Sequence, residues 1–379
     1  MTKKIKVIKV LVVDDSPIAL IVLKRIFATS PEIEVVGTAK NGLEALKLIP
    51  QVQPDVICTD LHMASMNGLE FTREVMHKYA RPILVISSSV QEHDTQNVFQ
   101  LLEAGAVDVF PKPQTGFTSD YDAIKQELIN KIKILSGVKV FTRHYHHINT
   151  VNREYRQQLF VRNIQHKLAK SPSVSAPQTI PKYPRLSKII KILAIGASTG
   201  GPQALKTILN NLPSTFPIPI ICVQHISNGF LNGLVNWLAN ECKLPIKIAI
   251  SGELPEAGAI YFPPEDHHLE LDNRGKFFCS KTPAIGGHRP SITVTFNSVA
   301  NFYGSSATGV LLTGMGRDGA DGMQAIAQAG GLTIAQDEAS SIIFGMPKEA
   351  IALGAAQYIL SINDISHKLL NYIGKSRYN

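Results

Sequence analysis

The chain has 379 residues, 44% of them hydrophobic and 18% charged, an ordinary globular composition with room for two domains that have separate cores. No apolar run approaches the roughly 20 residues that cross a bilayer, and the first residues, Met1-Thr2-Lys3-Lys4-Ile5-Lys6, lack the apolar core of a signal peptide. The expectation is a cytoplasmic protein with no membrane insertion. Its four cysteines, Cys58, Cys222, Cys242 and Cys279, have neither metal nor disulfide spacing and read as small packing residues in a reducing compartment. The net charge of +8 raises nucleic acid as a partner, but much of it falls between Lys139 and Lys191, where a single acid, Glu154, stands among prolines and serines. That is linker composition. With no recognition helix or stacking motif, nucleic-acid binding is not expected.

Taken in order, the chain first alternates short apolar runs with helical spacing. Lys9–Val13 is followed by Pro17–Phe27, Ile33–Val36 by Leu43–Ile49, and Asp55–Thr59 by Leu69–Met76; then Ile83–Ile86 precedes Val98–Leu102 and Val107–Phe110 precedes Ile124–Ile134. Five β-α units predict a parallel sheet with helices on both faces, a doubly wound domain over residues 1–136. Polar residues gather where the strands end: Asp14 and Asp15 after the first, Asp60 after the third, Ser87 after the fourth and Lys112 after the fifth. Doubly wound sheets hold ligands at this carboxyl edge. Three converging carboxylates repel one another unless a hard cation such as Mg²⁺ joins them.

Residues 5–136 resemble the receiver domain of two-component response regulators through Asp14-Asp15, Asp60, Ser87 and Lys112-Pro113. The resemblance implies a flavodoxin-like fold in which Asp60 accepts a phosphoryl group from a histidine kinase. It also implies Mg²⁺ at Asp15, Asp60 and a backbone carbonyl near His62, with Asp14 beside them and Ser87 and Lys112 on the phosphoryl. Two positions depart from the family pattern. Ala64 stands where proline is common, and Val109 where a switch aromatic is common, with Phe110 facing the other way by strand alternation.

After a basic linker at 137–188, a second β-α series occupies residues 189–379. It opens on Lys191-Ile192-Leu193-Ala194-Ile195-Gly196-Ala197-Ser198-Thr199-Gly200-Gly201-Pro202, which reads as a buried strand, a sharp turn and a helix with Ser198 at the turn. Gly196-x-Ser198-x-Gly200 fits a nucleophile elbow. Gly196-x-Ser198-x-x-Gly201 is instead a dinucleotide fingerprint whose middle glycine has become serine, and no acid ends the next strand. Ile218–Val223, Leu244–Ile250, Ala259–Phe262 and Gly309–Thr313 read as strands, Phe277–Cys279 as a hairpin strand, and Leu231–Leu238, Val294–Phe302 and Met323–Ala329 as helices. Ser198, His225 and Asp318 each follow a strand, so the carboxyl-edge rule lets a nucleophile, a base and a tautomer-fixing carboxylate meet. Asp321 is a rival for the acid.

The order Ser, His, Asp resembles the catalytic domain of the CheB-type chemotaxis methylesterase family. So do Gly196-Ala-Ser198-Thr-Gly-Gly, Gln224-His225, Gly287-His288-Arg289-Pro290-Ser291, Leu312-Thr313-Gly314-Met315-Gly316-Arg317-Asp318-Gly319-Ala320 and Gln336-Asp337-Glu338-Ala339-Ser340 with Phe344-Gly345-Met346-Pro347. The match covers about residues 190–372 and implies a Rossmann-like three-layer α/β esterase domain. It further implies hydrolysis of γ-glutamyl methyl esters on methyl-accepting chemotaxis receptors, and deamidation of receptor glutamines. Catalysis would fall to Ser198, His225 and Asp318 with support at Thr199 and Met315, and the esterase step would need no cofactor. Ser227-Asn228 departs from the prolines common after the histidine. A phosphorylation-dependent adaptor or nucleic-acid-binding regulator, and a nucleotide-dependent enzyme, are the rival readings.

Overall fold

The structure, a computed structural model, describes residues 6–87, 92–113, 121–142 and 189–375. The basic stretch 143–188, most of the expected linker, lies outside them. In the N-terminal third, strands β1 (Ile8–Val13), β2 (Ile33–Ala39), β3 (Val56–Thr59), β4 (Ile83–Ser87) and β5 (Asp108–Pro111) alternate with helices α1 (Pro17–Ala28), α2 (Gly42–Val52), α3 (Gly68–Lys78), α4 (Glu92–Ala104) and α5 (Tyr121–Leu135). All strands are parallel, in the order β2-β1-β3-β4-β5, the flavodoxin-like arrangement. Strand alternation divides the core in two. Val10 and Val12 pack with Leu23 and Phe27 of α1 and Leu128 and Ile132 of α5, while Leu11 and Val13 pack with Ile49, Phe71, Val75 and Leu102 of α2, α3 and α4. Val109 and Phe110 fall on opposite faces, as the two-residue period requires.

The second sheet is built from β6 (Ile192–Ala197), β7 (Ile220–Gln224), β8 (Ile246–Ile248), β9 (Ile260–Phe262), β12 (Ala307–Leu311), β13 (Leu332–Gln336) and β14 (Tyr358–Leu360). They are parallel in the order β14-β13-β12-β6-β7-β9-β8. An antiparallel hairpin, β10 (His268–Leu271) with β11 (Phe277–Ser280), interrupts the series. Helices α6 (Gly201–Leu209), α7 (Leu231–Glu241) and α11 (Ile362–Lys375) share one core with Leu193 and Ile195 of β6. Helices α8 (Ile292–Tyr303), α9 (Ala320–Gln328) and α10 (Met346–Ala352) share the other with Ile192 and Ala194. The result is a three-layer Rossmann-like domain. The chain runs outward from β6 through β7 on one side and resumes through β12 on the other, so the topological switch point lies at β6, where open sheets bind ligands.

The structure corrects several sequence expectations. Helix α2 continues past Pro50 to Val52, where Gln53 closes it in the left-handed region (φ 44°) with its N–H on Ile49 O. The strand expected over Leu244–Ile250 shrinks to Ile246–Ile248, because Pro245 has no N–H to give a ladder. The strand expected to reach Thr313 stops at Leu311: Thr313 donates its N–H to the Gln336 side chain, 2.8 Å, and leaves the ladder. Beyond residue 329, β13, α10, β14 and α11 complete the sheet where the periodicity reading placed nothing.

The two sheets belong to one compact unit. The α4 face of the first domain meets α6 and α7 of the second. Phe99 stacks on Trp237 with centroids 5.4 Å apart, and the Trp237 indole N–H donates to Glu103 at 3.1 Å. Glu103 also pairs with Lys206, and the Gln203 amide donates to the carbonyls of Leu102 and Ala106 at 3.3 and 3.0 Å.

Close packing of β6 against α8 is set by Gly196. A Cβ there would stand 2.3 Å from Ile292 Cγ2 at the first turn of α8. Gly196→Ala is therefore expected to destabilise the chain by about 1–3 kcal/mol, the usual cost of overpacking. Denaturant titration should show a lower midpoint with an unchanged slope.

Candidate functional sites in the two domains

At the carboxyl edge of the first sheet, ligand atoms of Asp14, Asp15 and Asp60 lie within 4.8 Å of one another. Asp60 is buried, with Oδ1 accepting the Leu61 N–H at 2.7 Å and Oδ2 accepting Lys112 Nζ at 2.7 Å. Lys112 also lies 2.8 Å from Asp14 Oδ2. Burial pushes the Asp14 carboxyl up against the pull of Lys112 and the Ser16 N–H. Asp14 and Asp60 are buried and Asp15 is exposed, and three hard oxygen donors with one ammonium among them leave surplus negative charge at the strand edge, which fits a small divalent cation such as Mg²⁺. Ser87 is buried at the end of β4, and its carbonyl accepts the Lys112 N–H at 2.9 Å. The loop is closed by Gly68, where a Cβ would lie 2.1 Å from the Asp60 carbonyl oxygen. The five sequence-predicted residues Asp14, Asp15, Asp60, Ser87 and Lys112 thus collect at one strand edge.

At the switch point of the second sheet, the β6–β7 register pairs Gly196 with Val223 and Ala197 with Gln224. Ser198 and His225 are the residues that directly follow these neighbouring strands, whose spacing is about 4.8 Å. The His225 N–H donates to Ala197 O at 3.0 Å, and the Ser198 N–H to Thr313 O at 3.0 Å. A buried amide, Gln224, ties the two loops together by donating Nε2 to the carbonyls of Ser198 and His225 at 2.8 and 2.7 Å.

Asp318 is the acid that meets the imidazole: its Oδ2 lies 2.8 Å from His225 Nε2. His225 Nδ1 is buried without a hydrogen-bond partner among the described residues. Asp321 is instead held by Arg317 at 2.6 and 3.0 Å. The Asp318 carboxylate sits on the N-terminus of α8, accepting from the N–H groups of Ile292 and Thr293 at 2.7 and 3.0 Å and from the Ser291 hydroxyl at 2.8 Å. The Gly319 N–H adds a fourth donor at 3.0 Å. Burial alone would raise this carboxyl, but His225 and the α8 donors outweigh it and hold the group well below the usual carboxylate range.

Thr199 is buried, and its hydroxyl points to the first domain: Oγ1 donates to Asp108 Oδ2 at 3.1 Å. Lys131 of α5 pairs with the same Asp108 oxygen at 2.7 Å. Met315 is half exposed at the tip of a turn. The neighbouring Gly314 lies so close that a Cβ on it would stand 2.7 Å from Ser198 Cβ. Gln224, His288, Ser291 and Thr293 were not assigned roles from sequence. They occur in or beside the quoted motifs, but a stacking ring, a backbone clamp and a helix cap leave no spacing signature.

The fold and these sites define an α/β domain with a Ser-His-Asp constellation, joined to an aspartate-bearing receiver. Residues 10–117 match the response regulator receiver domain family, and residues 193–369 match the CheB methylesterase family. The chain is 38% identical over 370 residues to a Nitrosospira multiformis protein named protein-glutamate methylesterase/protein-glutamine glutaminase, covering 97% of this chain and 98% of that protein. A Syntrophus aciditrophicus protein of the same name, number 1, is 37% identical over 97% of this chain and 99% of its own length. The Thermotoga maritima CheB methylesterase catalytic domain, a crystal structure, is 41% identical over 48% of this chain and 98% of that one, with a TM-score of 0.47. The chain belongs to the family of receiver-bearing protein-glutamate methylesterase/protein-glutamine glutaminases.

The choice of acid is directly testable. Asp318→Asn is expected to lose about 10⁴ in turnover, as a carboxylate that fixes a histidine tautomer does when neutralised. Asp321→Asn should stay within about threefold of wild type, since surface pairs such as Arg317–Asp321 contribute little. Steady-state kinetics on both variants checks the assignment.

Proposed function

We propose that the chain demethylates γ-glutamyl methyl esters, and deamidates glutamines, on methyl-accepting chemotaxis receptors, acting in the cytoplasm under control of its receiver. The observation that carries this reading is the His225–Asp318 hydrogen bond formed beside Ser198 at the switch point. Ser198 Oγ attacks the ester carbonyl while His225 Nδ1 takes its proton. Asp318 holds Nε2–H and stabilises the imidazolium. The tetrahedral intermediate collapses, methanol leaves with the proton from His225, and water then hydrolyses the acyl-enzyme with the same histidine as base. A glutamine amide follows the same path and releases ammonia. Backbone N–H groups at the Met315 turn, near Thr199 and at the N-terminus of α6 are the candidate oxyanion donors, each typically worth about 10²–10³ in rate.

In the receiver, Asp60 would take the phosphoryl group from a histidine kinase. Asp14, Asp15 and Asp60 would hold Mg²⁺, which neutralises phosphoryl charge when bound, and Ser87 and Lys112 would contact the phosphoryl oxygens. One short strand links this site to the esterase. Asp108, at the start of β5, accepts from Thr199, and Lys112, just past its end, is held by Asp60. The four residues of β5 span only about 13 Å. Drawing Lys112 toward a group that adds about −1.5 to −2 charges therefore bears on the contact that occupies Thr199. This supports a receiver that restrains the esterase until Asp60 is phosphorylated.

Three experiments test these steps. Ser198→Ala should abolish methanol release from methylated receptor while leaving Asp60 phosphorylation by acetyl phosphate and Mg²⁺ intact; turnover within tenfold of wild type would refute the nucleophile. Glu103→Lys, which sets a cation against Lys206 and removes the acceptor of Trp237, should raise basal methanol release several-fold. Acetyl phosphate should activate wild type but not Asp60→Asn. Unchanged basal activity in Glu103→Lys would show that the α4 contact recruits or positions without restraining.

A further inference from the structure

Besides the triad, one ring is packed directly on a reacting group. The imidazole of His288 lies parallel to that of His225, with centroids 3.9 Å apart and planes 7° from coincidence. His288 is half buried on a segment fixed at several points. The Ile285 and His288 N–H groups exchange hydrogen bonds with each other's carbonyls at 3.1 and 3.0 Å across Gly286-Gly287. Arg289 grips Asp266 Oδ1 through two guanidinium nitrogens, at 2.6 and 2.8 Å, and also reaches the carbonyls of Lys281 and Thr282. The Ser291 N–H donates to the buried His268 Nδ1 at 3.1 Å, and Ser291 Oγ then meets Asp318. One stretch, 285–293, therefore presents a flat wall to the base and the helix cap to the acid.

We propose that His288 is a positioning residue for His225: its flat face holds the base ring in the plane that keeps Nε2 on Asp318 and leaves Nδ1 for Ser198. The inference rests on the reading of His225 as general base. Rotation of that ring about its own bonds would break the 2.8 Å contact to Asp318, and on the stacked side a fixed ring blocks it. Burial, then the neighbouring His225 and Lys131, push the His288 imidazole down to about 4. It thus stays neutral near pH 7, where two touching imidazoles cannot cheaply both carry charge. A neutral π face beside the imidazolium formed during turnover is also favourable.

The test uses the full chain activated with acetyl phosphate and Mg²⁺, with methanol release read on methylated receptor. His288→Ala should lower kcat about 10- to 100-fold, the scale of a small misplacement of a reacting group, with KM within about threefold. His288→Phe, flat but without ring nitrogens, should recover kcat to within about threefold of wild type. His288→Leu fills the space without a flat face and should resemble the alanine variant, which keeps the comparison available if alanine does not fold. By NMR, the His225 Nε2 proton signal should persist in His288→Phe and broaden by exchange in His288→Leu. Near-wild-type kcat in the leucine variant would overturn the proposal. So would a folded phenylalanine variant as impaired as leucine, because a ring nitrogen would then be required. His225→Ala separates the two readings: if it retains activity, the general-base assignment fails irrespective of His288.

Discussion

A buried carboxylate must find donors or lose its charge, and the placement of Asp318 meets that demand with the open end of α8. Its two oxygens accept from two backbone N–H groups of the first turn, the capping hydroxyl of Ser291 and the Gly319 amide, and only then from His225. Hydrogen bonds to an ionised acceptor are roughly twice as strong as neutral ones, and a helix N-terminus favours negative charge. The arrangement satisfies the acid before the histidine is considered, so the imidazole is oriented by a group that cannot easily move. Breaking such a buried set by removing one member usually costs more than the set gains over an apolar core.

The position of α8 consequently sets where Asp318 meets His225. Gly196 lets Ile292 approach β6, which places the helix end above the same strand whose next turn carries Ser198. The hairpin of β10 and β11 contributes as well: His268 accepts the N–H of the capping residue, and the Thr295 hydroxyl donates to Leu269 O at 2.7 Å. Gln224 performs the matching task on the other side of β6, where one side-chain amide spans the carbonyls of Ser198 and His225.

Contact between the domains has a different character. Its centre is apolar, with Phe99 on Trp237 inside a cluster that runs from the α2-α3-α4 layer of the receiver into the α6-α7 layer of the esterase. Its periphery is a set of partly exposed polar contacts through Glu103, Gln203 and Lys206. Exposed pairs add little energy, and polar interfaces within a chain open readily. Val109, at the position where an aromatic is common, lies buried on the face toward this shared cluster, so the receiver's β5 reaches the esterase through packing and through Asp108.

By itself the sequence determined that both domains are built of β-α units and which polar residues fall at the strand ends, because both are written in local spacing. Alternating apolar runs specify β-α units, and polar residues placed just after those runs must fall on the carboxyl edge of a parallel sheet. That logic located Asp14, Asp15, Asp60, Ser87 and Lys112 in one domain, and Ser198 and His225 in the other. Only the tertiary structure showed which of Asp318 and Asp321, three residues apart in the segment after β12, meets the imidazole; the end of α8 holds the first, while Arg317 pairs with the second. It also decided the partner of the Thr199 hydroxyl, since Asp108 lies in another domain, and the ring that walls His225, which comes from a loop with no periodicity. Contacts of this kind are made between segments far apart in sequence, and packing geometry, with no pattern in either segment, brings them together.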